Sequence, residues 1–205
     1  MITIIDYGVG NLFSLSSSLS YLGLENKVSR DPEDLRKADH IILPGVGAYG
    51  DAIAKLRGSG MAEPLLDEAK AGKPIMGICL GMQLLFDKSY EYGEHQGLGL
   101  IPGVMADLKE DIPANLKVPH MGWNSLQLTE KGKKHPLFKY SKEGDYVYFV
   151  HSFYGKDCDE SLLATSEYGI PVTASVANEN VMGCQFHPEK SGEVGLRILK
   201  AFSEL

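Results

Sequence analysis

A cysteine between two glycines is the residue in this chain best suited to chemistry. In Gly77-Ile78-Cys79-Leu80-Gly81 an apolar run ends at Cys79, and the apolar residues that follow have helical spacing. The pattern predicts a strand, a sharp turn and a helix, because the glycines allow the backbones to approach closely. A thiol at the first turn of a helix lies at the positive end of the helix dipole, which favours thiolate. Cys79 is therefore a candidate nucleophile, and the alternative is a buried cysteine acting as a small hydrophobe.

Two backbone segments can supply hydrogen-bond donors beside this thiol. The N–H of Leu80 is an unpaired donor at the start of the predicted helix, so it can stabilise an oxyanion formed when Cys79 attacks a carbonyl. The loop Pro44–Gly50 follows a predicted buried strand and has three glycines at G-x-G-x-x-G spacing. A dinucleotide site is compatible with that spacing, but the acidic residue expected about twenty residues later falls inside a predicted helix. We therefore expect a glycine loop that faces the pocket of Cys79.

A cysteine nucleophile needs a base, and the base needs a group that orients it. His187 stands at the end of an apolar strand, and Glu189 follows after Pro188, which keeps the preceding residue extended. Residues i and i+2 of an extended chain point the same way, so Glu189 can hold the His187 ring while the ring faces Cys79. The alternative is an ordinary strand-end histidine with a solvated acid. His120 and His151 have no carboxylate two residues away, and no spacing indicates a metal site.

The composition favours a single globular domain over residues 1–205 that binds small molecules and proteins. The chain has 43% hydrophobic residues and a net charge of −7, without a run of basic residues, so neither nucleic-acid nor membrane binding is predicted. We expect a cytoplasmic protein, because no basic leader, cleavage site or apolar run of membrane length is found. The three cysteines, at positions 79, 158 and 184, predict no disulfide framework.

The order of the predicted elements indicates an α/β fold. Strands and helices alternate in the first half: strands at Ile2–Asp6, Asn26–Ser29 and His40–Leu43, and helices at Leu12–Leu22, after the Asp31 cap, and at Met61–Ala71. Ser89–Gly99 is expected to be a loop. Strands then dominate, at Met105–Leu108, Ser125–Leu128, Tyr146–Phe153, Leu162–Ser166, Val172–Ala177 and Met182–Phe186, before a last helix at Gly192–Phe202. This pattern predicts a mixed sheet with helices on both faces.

The segments Gly77–Gln83 and Gln185–Glu189 resemble the two motifs of the class I (triad) glutamine amidotransferases. Further segments are similar to the glutaminase subunits of imidazole glycerol phosphate synthases within that family: Asp6–Asn11, Pro44–Ala48, His120–Asn124, Phe149–Ser152 and Lys190–Ser191. The resemblance runs from Asp6 to Ser191. It implies a three-layer, flavodoxin-like fold with a mostly parallel mixed sheet and a nucleophile elbow at Cys79.

The resemblance also implies roles for individual residues. Cys79 would be the nucleophile, His187 the acid and base, and Glu189 the orienting group. The N–H of Leu80 and the segment Val46–Gly47 would form the oxyanion loop. The positions that would hold the amino-acid end of L-glutamine are Gln83, Ser152 and the backbone around His151 and Phe153. Phe153 and Cys184 stand where the family pattern leads us to expect tyrosine and threonine.

The same resemblance implies that the chain is half of an enzyme of histidine biosynthesis. The expected partner is a synthase subunit with a (β/α)₈ barrel, which would form a heterodimer with this chain and use its ammonia to close an imidazole ring. The residues expected to lie towards that partner are Trp123, Asn124, Tyr148 and Lys190, although the sequence pattern alone predicts a core position for Trp123. No cofactor is implied for this chain.

Two rival functions remain open at this point. One is a free-standing triad hydrolase such as a γ-glutamyl peptidase, which would act without a partner. The other is a flavodoxin-like nucleotide-binding module that uses the glycines of Pro44–Gly50. The glycine loop also suggests a control device, because a peptide flanked by glycine can flip between two orientations at little steric cost. A flip would add or remove one oxyanion donor.

Overall fold

The computed structural model describes residues 1–205 and contains fourteen strands and eight helices. The strands are β1 (Ile2–Ile5), β2 (Asn26–Ser29), β3 (His40–Leu43), β4 (Ile75–Ile78), β5 (Phe86–Ser89), β6 (His95–Gln96), β7 (Ile101–Asp107), β8 (His120–Ser125), β9 (Gln127–Leu128), β10 (Tyr146–His151), β11 (Phe153–Lys156), β12 (Leu162–Glu167), β13 (Pro171–Asn178) and β14 (Val181–Cys184). The helices are α1 (Leu12–Tyr21), α2 (Pro32–Lys37), α3 (Tyr49–Gly58), α4 (Ala62–Lys70), α5 (Leu80–Leu84), α6 (Leu108–Asp111), α7 (Glu130–Lys134) and α8 (Gly192–Ser203).

The central sheet has eight strands in the order β2-β1-β3-β4-β14-β13-β12-β9. The five strands from β2 to β14 pair in parallel. The last three strands, β13, β12 and β9, are added antiparallel. The predicted mixed, mostly parallel sheet is confirmed, and the cysteine strand β4 and the histidine strand β14 are neighbours at its centre.

Alternation along the buried strands produces two cores, one on each face of the sheet. In β1, Ile5 belongs to a core with α3 and α4, whereas Ile4 belongs to a core with α1 and α8. Successive side chains of a strand point to opposite faces, so strands covered on both sides must be apolar at every position. All four residues of β1, β3 and β4 are buried. The fold is the three-layer arrangement that the sequence predicted.

Close backbone contacts hold α5 against the sheet. A Cβ on Gly77 would lie 2.6 Å from the Cα of Met82, and a Cβ on Gly81 would lie 1.8 Å from the carbonyl oxygen of Leu43 in β3. No side chain fits at either position. The two glycines around Cys79 are therefore required by packing, as the sequence pattern predicted.

Three local predictions were wrong. Ser125–Leu128 is not one strand, because Ser125 ends β8, which pairs with β10, whereas Gln127–Leu128 form β9 at the edge of the central sheet. Ser89–Gly99 is not a single loop, because Ser89 ends β5, which pairs with β6 and β7 in a separate four-stranded sheet, β11-β7-β5-β6. Tyr146–Phe153 is not a single strand either. It breaks at Ser152, where β10 leaves its antiparallel partner β8 and β11 begins to pair with β7. The causes differ: the short strands β6 and β9 carry little apolar periodicity, whereas the apolar run Tyr146–Phe153 continues through the break at Ser152 and so hides it.

The prediction of a capped second helix is confirmed. The side chain of Asp31 accepts a hydrogen bond from the N–H of Glu33 at 2.9 Å, and Pro32 occupies the first helical position. No helix is both long enough and apolar enough to cross a membrane.

The contact at Gly81 makes a testable prediction about stability. We expect Gly81→Ala to lower the free energy of unfolding by about 3 kcal/mol, because the new methyl group overlaps the Leu43 carbonyl. Gly58→Ala at the end of α3 is the matched control: its Cβ would meet nothing within 4 Å, and we expect a gain of about 0.5–1 kcal/mol. Urea unfolding measures both. Equal stability of the two variants would contradict the packing argument.

Candidate active site

Cys79 occupies a strained turn between β4 and α5. Its backbone has φ 54° and ψ −115°, a conformation that residues other than glycine rarely adopt. The Cys79 N–H donates to the carbonyl of Cys184 at 2.8 Å, which continues the pairing of β4 and β14 up to the turn. The strain raises the sulfur out of the sheet at the start of the helix. Such strain persists where the surroundings hold it and is frequent at active sites.

The sulfur of Cys79 has two polar neighbours. Its Sγ atom lies 3.8 Å from the carbonyl oxygen of Val150 and 3.8 Å from Nε2 of Gln185. The amide oxygen of Gln185 in turn accepts a hydrogen bond from Nε2 of Gln83 at 3.0 Å. Sequence reasoning assigned no role to Gln185, although the i, i+2 rule puts it on the same side of the extended chain as His187.

His187 and Glu189 form a buried pair next to Cys79. Nδ1 of His187 lies 2.8 Å from Oε1 of Glu189, and both side chains are 2% exposed. The backbone also holds the ring in place, because the His187 N–H donates to the carbonyl of Tyr148 at 2.9 Å. The other ring nitrogen, Nε2, has no hydrogen-bond partner, and His187 lines the same cavity as Cys79.

The neighbours of His187 determine whether its ring carries a proton. Burial disfavours the imidazolium, but the Cys79 sulfur and the Glu189 carboxylate outweigh burial and raise the pKa of His187 to about 10. Burial also disfavours the charged form of Cys184 and Cys158: it is the main cause that raises the pKa of the Cys184 thiol to about 12 and raises the pKa of the Cys158 thiol. A protonated His187 at neutral pH is able to give a proton to a leaving group.

One cavity of about 300 Å³ collects most of the predicted site residues. Its lining consists of Val46, Gly47, Cys79, Leu80, Gln83, Glu91, Pro119, Val150, His151, Ser152, Phe153 and His187. The predicted nucleophile, base, oxyanion loop and glutamine positions thus share one space. Glu189 lies behind His187 and does not line the cavity.

The glycine loop is anchored at its Pro44 end and has open space at Gly47. The hydroxyl of Tyr7 donates to the carbonyl of Pro44 at 2.7 Å, and a Cβ on Gly45 would lie 2.7 Å from the backbone nitrogen of Gly81. Gly47, in contrast, has φ +99° and open space around its Cα. The Val46–Gly47 segment, where the sequence suggests a peptide flip, therefore has room on its Gly47 side, and it lines the cavity.

Glu91 is a cavity residue that the sequence reasoning missed. It lies in the stretch predicted as a loop, where its surroundings offered no signal. The side chain is buried and its Oε2 atom accepts a hydrogen bond from the N–H of Tyr49 at 3.1 Å, and burial raises its pKa. Tyr49 is the first residue of α3, where a dinucleotide fingerprint would bring a pyrophosphate. A carboxyl group at that position argues against the nucleotide-binding interpretation.

The residues expected to lie towards a partner differ in whether their side chains reach the surface. Trp123 is 55% exposed, so the core position that its sequence context predicts is wrong. Its ring meets Tyr148 edge to face at 6.1 Å, and the Lys190 ammonium lies 6.0 Å from the Tyr148 ring centre. We call Trp123, Tyr148 and Lys190 the aromatic–lysine surface. The Asn124 side chain instead turns inward and donates to the carbonyl of Glu167 at 2.8 Å.

The arrangement suits nucleophilic substitution at an amide. A cysteine sulfur on a sharp turn faces a cavity, a histidine with an oriented ring stands beside it, and the N–H of Leu80 is the first of α5 and has no intrahelical acceptor. The nearby glycine loop can supply a second donor. A cysteine on a strand-to-helix turn beside an oriented His–Glu pair is the arrangement that a hydrolase with a cysteine nucleophile needs.

Comparisons with known proteins identify the family. The model of the class-I glutamine amidotransferase family matches residues 3–204, and the chain belongs to this family. Its relatives include the imidazole glycerol phosphate synthase subunit HisH of Listeria monocytogenes, 49% identical over all of this chain and 96% of the relative. The subunit of the same name from Lactococcus lactis is 50% identical over 99% of this chain and 98% of the relative.

Solved structures share the fold at lower identity. PurLQS from Thermotoga maritima superimposes with a TM-score of 0.76 at 22% identity, covering 99% of this chain and 97% of that chain. A crystal structure of a glutamine amidotransferase gives a TM-score of 0.75 at 19% identity over 99% of this chain and all of that one. These likenesses show the fold alone.

The buried pair makes a prediction about protonation. Because the Glu189 charge raises the pKa of His187, we expect Glu189→Gln to lower that pKa by at least one unit, so the ring loses its proton at lower pH. The midpoint is read from ring-nitrogen NMR shifts during a pH titration. Glu193→Gln, on the exposed start of α8, is the control and should leave the midpoint unchanged. An unchanged midpoint in Glu189→Gln would contradict the assignment.

Proposed function

We propose that this chain is the glutaminase subunit of an imidazole glycerol phosphate synthase. It hydrolyses L-glutamine to glutamate and ammonia and supplies the ammonia to a synthase subunit in histidine biosynthesis. The observation that carries the proposal is the cavity in which Cys79, His187 and the glycine loop meet, in a chain 49% identical over its full length to a protein named as a HisH subunit. Residues 1–205 form one glutaminase domain in this proposal, and it works in the cytoplasm.

The reaction proceeds through a thioester in two half-reactions. The Cys79 sulfur attacks the side-chain carbonyl carbon of glutamine, and the negative charge that forms on oxygen is stabilised by the N–H of Leu80 and the Val46–Gly47 loop. Protonated His187 gives its proton to the leaving nitrogen, ammonia departs and a γ-glutamyl thioester remains. His187 then takes a proton from water, the hydroxide attacks the thioester, and glutamate leaves as the sulfur is released. Glu189 keeps the His187 ring oriented throughout.

The amino-acid end of glutamine has matching groups in the cavity. Gln83, Ser152 and the backbone of His151 and Phe153 offer hydrogen bonds to the α-carboxylate and α-ammonium groups. Glu91 adds a buried carboxyl group on the same cavity wall. A carboxylate is the group that suits a substrate ammonium, because opposite charges attract strongly where water is excluded. We therefore assign Glu91 to recognition of the α-ammonium group.

The aromatic–lysine surface is the proposed docking face for the synthase subunit, which we take to be a (β/α)₈ barrel in a heterodimer. Trp123 is large and exposed, and aromatic residues of this kind are enriched among the residues that contribute most to interfaces. The surface adjoins the triad, since the backbone of Tyr148 holds His187 and Lys190 follows Glu189 directly. A partner bound here contacts the loop that carries the catalytic histidine.

The first prediction of this proposal separates the two reactions. In the complex with its synthase subunit, we expect Cys79→Ala to abolish glutamine-dependent product formation and to leave synthesis from added ammonia unchanged, because the two chemistries occupy different subunits. Cys158→Ala is the control and should retain both reactions. Product formation from each nitrogen source is followed with the complex checked for assembly. Loss of the ammonia-dependent reaction in an intact complex would show that Cys79 is structural.

The glycine loop makes a second prediction, about control by the partner. An oxyanion donor contributes roughly 10²- to 10³-fold in rate, so a loop with a carbonyl facing the cavity would leave the enzyme nearly idle. We propose that the ligand-bound partner favours the orientation in which the Val46–Gly47 segment presents its N–H. Glutamate release is measured for the chain alone, with partner, and with partner plus nucleotide substrate, and should rise in that order. Equal rates would reject this control, and full activity of the chain alone would favour the free-standing hydrolase.

A further inference from the structure

Two buried histidines outside the triad form a hydrogen-bonded pair. Nδ1 of His120, on β8, lies 3.0 Å from Nε2 of His151, at the end of β10. His120 stacks between Phe149, at 4.8 Å, and Tyr168, at 4.2 Å between ring centres. Both histidines are buried, and neither has a part in the triad. A buried polar pair of this kind requires every nitrogen to be satisfied, which fixes where the protons lie.

Backbone groups determine the direction of the hydrogen bonds. At one end, the Ser125 N–H donates to Oδ1 of Asn124, so Nδ2 of Asn124 is the donor to the Glu167 carbonyl and to Nε2 of His120, at 3.2 Å. His120 therefore accepts at Nε2 and carries its proton on Nδ1.

At the other end of the pair, His151 meets a backbone carbonyl, which can only accept a hydrogen bond. Nδ1 of His151 lies 2.9 Å from the carbonyl oxygen of Phe153, so this ring also carries its proton on Nδ1 and accepts at Nε2. We call Asn124, His120 and His151 the histidine relay. Both rings are neutral in this arrangement, because an added proton would set two N–H groups against each other. Burial acts in the same direction and lowers the pKa of His120 to about 4 and that of His151 to about 3.

The relay ends at a wall of the active-site cavity. The Phe153 carbonyl that accepts from His151 also lies 3.3 Å from Nε2 of Gln83, in the helix of the nucleophile. Ser152 lies between the strands β10 and β11 and belongs to neither, although its carbonyl accepts a hydrogen bond from the N–H of Leu108 at 2.9 Å. Together with that bond, the hydrogen bond from His151 to Phe153 closes the bend that presents residues 151–153 to the cavity. The other end of the relay adjoins Trp123 of the aromatic–lysine surface.

We propose that the histidine relay positions the segment 151–153 for glutamine and makes this cavity wall dependent on strand β8. The proposal rests on the function proposed above. His120 and Asn124 are positioning residues: neither lines the cavity. Their loss loosens the bend at Ser152 and weakens glutamine binding. The Cys79 sulfur keeps its reactivity, because its backbone is held by β4 and α5 and the removal of these side chains leaves the backbone pairing of β8 and β10 intact.

Ring-nitrogen NMR of the full chain tests the relay itself. At pH 7 we expect His120 and His151 both to be neutral with the proton on Nδ1. In Asn124→Ala the donor to Nε2 of His120 is lost, so the Nε2 resonance of His120 should move, while its proton stays on Nδ1 because Nε2 of His151 still accepts it. Protonated rings, or a proton on Nε2 of either ring in the unchanged chain, would overturn the relay.

Protection of Cys79 by glutamine tests the consequence. Iodoacetamide alkylation of the Cys79 peptide is followed by mass spectrometry at increasing L-glutamine. His120→Phe keeps the aromatic stack and removes the hydrogen bonds, and leaving a buried nitrogen unpaired should raise the half-protecting glutamine concentration about 10-fold. Asn124→Ala, which is far from the cavity, should raise it about 3-fold. Met121→Ala on the exposed side of β8 is the matched control and should change nothing.

The outcomes separate this inference from the proposed function. All variants should be alkylated at the wild-type rate without glutamine, which also shows that they fold. Glutamine can protect the wild-type chain while the half-protecting concentration is the same in His120→Phe and Asn124→Ala as in the wild type. That result overturns the positioning role of the relay and leaves the proposed glutaminase function standing. If glutamine does not protect the wild-type chain, the proposed glutaminase function is wrong, and the positioning role is lost with it.

Discussion

The contact between α5 and the centre of the sheet is the constraint on which the site depends. Gly81 sits against the carbonyl of Leu43 and Gly45 against the backbone of Gly81, so the cysteine turn and the glycine loop are packed backbone to backbone. Any side chain at these positions would separate them. This contact brings the helix N-terminus, the sulfur and the potential oxyanion donors together, and the strained backbone of Cys79 is possible only because the neighbouring strands hold both sides of the turn.

Strand β10 connects the parts of the site that come from outside the sheet. Its Tyr148 carbonyl accepts from the His187 N–H, its Val150 carbonyl lies beside the Cys79 sulfur, and its last residue, His151, belongs to the histidine relay. The strand pairs only with β8, which carries Trp123. A displacement of this two-stranded ribbon would therefore be felt by the histidine, the sulfur and the glutamine wall together. This geometry offers a physical route by which a partner on the aromatic–lysine surface can act on the site.

The central sheet, the helices on both of its faces and the cysteine turn could be predicted from the sequence, because these features depend on local signals. Buried strands such as His40–Leu43 are apolar throughout, and the glycines around Cys79 mark a close approach that only glycine permits. The spacing of His187 and Glu189 likewise follows from the geometry of an extended chain, and the structure joins the two at 2.8 Å. These features need no knowledge of distant contacts.

Other features could not be predicted, because they arise from residues far apart in the chain. Glu91 becomes a cavity residue only through its bond to the N–H of Tyr49, 42 positions away. The relay from Asn124 to Phe153 needs the register of β8 and β10, and Trp123 is exposed because those strands leave the main sheet. The polar stretch around β5 and β6 shows no clear periodicity, so its strands form from pairing rather than from local preference.

The central claim is that Cys79 is the glutamine-attacking nucleophile, and covalent labelling with a diazoketone analogue of L-glutamine tests it most directly. Mass spectrometry of the intact chain and its peptides locates the adduct, with Cys79→Ser as the comparison. We expect one adduct, on Cys79, which L-glutamine suppresses and which is absent from Cys79→Ser. An adduct on Cys158 or Cys184, or labelling of Cys79 that L-glutamine does not reduce, would contradict it.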